Sequence, residues 1–161
     1  MNYRHAFAAA AVACLIASPA LAKSDKAFLS DAIKGDNSEV ALGHLAAEKG
    51  SSEGVKTFGT TLATDHSMAK DDASMLAKKM NVAVSDKMTP EARKEMTKLN
   101  KLSGAAFDKE FASYMVKDHE KDVKAFKAKA AEGDKDVPKL AAKTLPTLEK
   151  HLQTAQSLAG S

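Results

Sequence analysis

The stretch EVALGHLAAEKGSSEGVKTFGTTLATDH, residues 39–66, decides the architecture. Leu42 and Ala46 stand one helical turn apart. Gly50 then takes the usual glycine position after a helix C-terminus. Ser51 or Ser52 is an N-cap residue for a second helix, whose apolar stripe opens with Val55, Phe58 and Leu62. So short a connection forces the two helices into an antiparallel hairpin. Two ionisable residues interrupt these stripes without leaving them. Glu39 falls between Ala32 and Leu42, and His66 lies four residues after Leu62 and three before Ala69.

The same grammar recurs along the chain. The first helix is expected over about 25–49, capped by Ser24, with Asp25 at the positive end of its dipole. The second covers about 52–80. Residues 81–103 form a linker with a short helix at about 90–101, announced by Thr89-Pro90-Glu91. The third long helix, about 105–132, carries the stripe Phe107, Phe111, Met115, Val123, Phe126 and Ala130, with His119 inside it. The fourth, about 136–158, places His151 between Leu148 and Ala155, and Pro146 predicts a kink there. No segment alternates like a strand. The reading is all-α: a four-helix bundle of two αα-hairpins joined by a long linker, forming a single domain over 23–161.

Residues 1–22 read as a secretory signal peptide. Arg4 leads, an apolar run extends from Ala6 to Ile16, and Ala20-Leu21-Ala22 fits the cleavage site. The apolar run is too short to span a bilayer, and no later segment is a transmembrane candidate. The expected compartment is the periplasm. The alternatives are secretion, or lipid anchoring through Cys14. That cysteine is the only one, so the mature chain has no disulfide, no thiol catalysis and no cysteine-based zinc site. Lys is interspersed with Asp and Glu, and Arg93 is the single arginine after the signal. Such charges form solvated helix faces, which argues against nucleic-acid binding.

Glu39, His66, His119 and His151 thus give each long helix one ionisable residue on its apolar face. If the hairpins point in opposite directions, all four fall near mid-bundle, with levels scattered by about 6 Å. Neutral imidazole with a carboxylate suits one divalent transition-metal ion. Asp65, Asp118, Glu120 and Glu149 flank the histidines and are candidate acceptors for the imidazole N–H groups. The competing reading is four core residues satisfied by ordinary polar neighbours. His44, on another face, is expected to point to solvent or a groove. The methionines lack the clustered spacing of a copper-binding box and read as core filler.

Several of these residues also carry a resemblance. Phe28 with Glu39-Val40-Ala41-Leu42-Gly43, Val55-Lys56-Thr57-Phe58 and Asp65-His66 resemble the bacterial family catalogued as domain of unknown function 4142. So do Phe107-Asp108, Tyr114-Met115-Val116, Asp118-His119 and Leu145-Pro146 with His151-Leu152. The resemblance implies an exported, ferritin-like helical bundle and no established activity. The family is often labelled an outer-membrane protein, but this chain has no barrel pattern. A ferritin-type di-iron site needs Glu-x-x-His on two helices. Ala63 and Leu148 occupy those glutamate positions, so the sequence argues against di-iron chemistry. Nor is there a Ser-His-Asp arrangement, a phosphate loop or a His-Glu-x-x-His motif. The expected function is non-enzymatic: a role in envelope stress or homeostasis through one bound metal ion or small ligand. The alternatives are a structural protein that docks an unidentified protein partner, and a metal-dependent hydrolase or oxidant-handling enzyme.

Overall fold

The structure is a computed structural model and describes residues 23–160. The signal-peptide and Cys14 expectations lie outside these residues. Among the described residues there are five helices and no strand: α1 (Asp25–Lys49), α2 (Glu53–Lys79), α3 (Pro90–Leu99), α4 (Gly104–Ala130) and α5 (Asp136–Ala159). Caps set the starts of three of them. Ser24, Ser52 and Thr89 accept hydrogen bonds from the backbone N–H groups of Ala27, Val55 and Ala92. Each satisfies one of the orphan donors of a first turn. α5 continues through Pro146 as one element, although the ring removes the N–H that would bond the carbonyl of Ala142.

α1 packs along α2, and α4 along α5. The hairpins are placed by polar ties at their ends. Ser51 and Ser52 donate their N–H groups to the two carboxylate oxygens of Asp108, each at 2.8 Å. The α1–α2 turn therefore meets the start of α4, and the two hairpin turns lie at opposite ends of the molecule. The linker runs back beside α1 to make this possible. Asn37 Nδ2 donates to Ser85 O at 2.7 Å, Thr89 N donates to Ser38 Oγ at 3.0 Å, and Lys49 Nζ donates to Asn100 O at 2.9 Å. The turn between α4 and α5 uses Gly133 at φ +111°, a conformation that L side chains rarely adopt.

Two apolar clusters fill the interior. One lies toward the α1–α2 turn and contains Leu42, Val55, Phe58, Leu62, Phe107, Phe111 and Met115. The other lies toward the α4–α5 turn and contains Phe28, Leu29, Ile33, Ala73, Val137 and Ala141. Between these clusters every long helix contributes polar residues: Asp36 to Glu39, Asp65 and His66, Asp118 to Asp122, and His151. The core is thus two hydrophobic lobes with an ionisable layer between them. Leu29 and Ile33 are fully buried, whereas Ala32 is only partly so. The buried face of α1 is therefore rotated slightly from the one the stripe suggests.

The first hairpin is close because two glycines face each other. A Cβ on Gly59 would stand 2.6 Å from Gly43 O and 2.7 Å from Ala47 N, both unyielding backbone atoms. Gly59→Ala should gain about 1 kcal/mol of helix propensity but lose about 1–3 kcal/mol by forcing the helices apart. A net fall in stability is expected in urea unfolding. A rise would show that α1 and α2 do not need this closeness.

Candidate metal centre

His66, His119 and His151 come from α2, α4 and α5 and are at most 3% exposed. Their ring centroids are 5.8 Å apart for His66–His119, 5.3 Å for His66–His151 and 5.4 Å for His119–His151. One nitrogen of each ring is anchored. His66 Nδ1 pairs with Asp36 Oδ1 at 2.9 Å, His119 Nδ1 with Met115 O at 3.0 Å, and His151 Nε2 with Asp65 Oδ2 at 2.9 Å. A carbonyl or an ionised carboxylate can only accept, so these nitrogens carry the N–H in neutral rings. The lone pairs are thereby fixed on His66 Nε2, His119 Nε2 and His151 Nδ1. These are the ring atoms that are buried without a hydrogen-bond partner. The three histidines offer ligand atoms within 4.8 Å of one another. A tetrahedral zinc with bonds of about 2.0–2.1 Å spaces its nitrogens by roughly 3.3 Å, so a small inward turn of the rings completes the set.

Burial keeps the lone pairs of His119 and His151 available. Burial, reinforced by the neighbouring His66 and His151 rings, pushes the His119 pKa down to about 3. Burial also lowers His151, and the Asp65 carboxylate partly opposes it. Neutral imidazole is the form that binds metal.

Glu39 does not join this set. It is 1% exposed, and both carboxylate oxygens lack a hydrogen-bond partner. Burial raises its pKa well above the ordinary value, and the Asp118 carboxylate beside it raises it further. Burial also raises Asp122, one turn beyond Asp118, to about 7. The expected imidazole acceptors divide in the same way. Asp65 holds a histidine, but on α5 rather than its neighbour His66. Asp118 faces Glu39, and Glu120 and Glu149 are exposed. Asp36, absent from the sequence reading, is the partner of His66. Its signal was its position three residues before Glu39, on the same helix face. His44 is exposed, as its helix face suggested.

Glu39 gives a pH-dependent prediction. An acid whose pKa is higher in the folded state holds its proton more tightly there. Wild-type stability therefore falls as pH rises from about the unfolded value of 4.5 toward the folded one. Glu39→Gln has no such loss. It should unfold at higher urea than wild type at pH 8 and at nearly the same urea at pH 4. A gain confined to pH 4 would contradict this sign.

Compared with solved structures, the chain is similar to a crystal structure of a DUF305 fragment from Deinococcus radiodurans. The TM-score is 0.74 at 14% sequence identity, covering 84% of this chain and 95% of that one. At that identity the likeness concerns the fold alone. No curated protein matches the chain. The model of the family described as Domain of unknown function (DUF4142) matches residues 10–158, and the chain belongs to that family.

Proposed function

We propose that this chain is an exported, non-enzymatic protein that holds one divalent transition-metal ion on His66, His119 and His151. Its role would lie in metal homeostasis of the bacterial envelope. The observation that carries this reading is the convergence of three buried, unpaired imidazole nitrogens whose tautomers are fixed by their outer partners. Leaving a buried acceptor unpaired costs about 1–3 kcal/mol, and a core of satisfied histidines would not align three such costs on one point. A bound ion would use all three lone pairs together. The two carboxylates that brace His66 and His151 would balance a dipositive charge. We read the four long helices as a ferritin-like bundle whose mid-level carries one ion rather than a di-iron pair. The burial of the ligands between two apolar lobes favours storage or buffering over turnover of a large substrate.

Equilibrium dialysis of the mature chain against zinc, copper, nickel and iron(II) tests the reading. One ion per chain is expected, and its binding should disappear in His66→Ala/His119→Ala. No stoichiometric binding, or binding unchanged in that variant, would remove it.

A further inference from the structure

Two clefts reach the histidines, and their chemistry differs. One, of about 290 Å³, opens along the seam between the hairpins and is lined by His66 together with Asp36, Asp118 and Asp122. The other reaches His151 past Phe58, Thr57 and Lys150. The second is lined by one acid and one lysine, Glu53 and Lys150. The first is lined by five acidic residues, Asp31, Asp36, Glu91, Asp118 and Asp122. Its cations are Lys23, which is paired with Asp31, and the side chains of Lys34 and Lys121. Glu39 lies behind this wall, fully buried beside Asp118.

Resting on the metal-binding reading above, we propose that Asp118 and Asp122, backed by Glu39 and Asp36, form an entry site. A hydrated divalent cation would dock there before passing to His66 and its partners. Carboxylates suit this step because they hold a cation through its water shell with one or two contacts, without stripping it. With five carboxylates against three lysines the cleft has a net negative lining, which concentrates cations and raises their association rate. Asp36 links the two stations. Its Oδ1 holds His66 Nδ1, while the same carboxylate lines the cleft. Transfer forms bonds from the cation to the imidazole nitrogens and releases its waters into the cleft. No electron moves in this transfer.

The test is stopped-flow zinc association and chelator-driven release on the mature chain. Variants are Asp118→Asn/Asp122→Asn and, as an equal charge change outside the cleft, Asp71→Asn/Asp86→Asn. The cleft variant should associate at least about 10-fold more slowly, with a flatter salt dependence and an unchanged release rate. The control should associate like wild type. Equal slowing in both variants, an unchanged association rate in the cleft variant, or an effect confined to release would overturn the entry site while leaving the histidine centre intact. If wild-type protein takes up no zinc, the histidine centre and the entry site both fall. A circular-dichroism melt of each variant identifies any that fails to fold. Asp122→Asn alone, expected to slow association severalfold, then carries the test.

Discussion

His119→Leu is expected to abolish tight zinc binding while stabilising the metal-free protein. The wild-type ring makes one hydrogen bond, to a carbonyl of its own helix at Met115, and leaves Nε2 buried and unpaired. Leucine removes that orphan, for which about 1–3 kcal/mol of desolvation is the usual cost. It also restores apolar contact with the two lobes. A net gain of about 1–2 kcal/mol is expected at neutral pH. The gain should grow on acidification. An unfolded histidine takes a proton near 6.5, whereas His119 in the folded chain resists until about 3. Wild-type stability therefore falls as pH drops below 6.5 toward 3, and the variant escapes that loss. Urea midpoints in chelator at pH 7.5 and 5.5, with zinc dialysis alongside, check both halves. A variant that is destabilised yet still binds zinc would make His119 a structural residue.

Zinc should raise the melting temperature of the mature protein well beyond the shift produced by magnesium. The reason is where the ligands come from. His66 belongs to the first hairpin, while His119 and His151 belong to the second. One ion would therefore tie the hairpins together across their polar layer. Binding to the folded state alone stabilises by about 2.7 kcal/mol at 100 times Kd. At roughly 3 °C per kcal/mol for a chain of this size, the expected rise is about 8 °C. Excess chelator should reverse it. In Asp65→Asn the effect should survive but need about 10–100-fold more zinc, because that carboxylate only orients His151 and raises its basicity. A melting temperature indifferent to zinc would mean that the three rings do not act together.

Much of the fold is legible in residues 24–160 because helix signals are local. Ser24, Ser52 and Thr89 cap where their residue types suggest, and Gly50 ends α1. The periodicity that puts His66, His119 and His151 on buried faces is equally local, and all three are buried. Their convergence is not local. It depends on the bonds from Ser51 and Ser52 to Asp108, which fix how the hairpins meet. Axial rise alone leaves a scatter of about 6 Å, wider than a coordination sphere. That is why Glu39 reads as an equal partner of the histidines but stands with Asp118 instead. The flanking acids show the same limit. Sequence neighbours on a helix point about 100° apart, so Glu120 and Glu149 turn to solvent beside buried histidines. The true braces, Asp36 and Asp65, reach across from other helices. Lys129 was likewise illegible. It is buried because Lys23 O, Asp25 and Glu132 surround its ammonium, and the first two lie at the far end of the chain.

The central claim is that one ion is held by three imidazoles from three helices. Anomalous diffraction at the zinc edge, from crystals of the mature protein grown with one equivalent of zinc, addresses it most directly. The expected result is a single strong peak about 2.0–2.1 Å from His66 Nε2, His119 Nε2 and His151 Nδ1. Peaks confined to surface carboxylates, with the three rings free of metal, would contradict it.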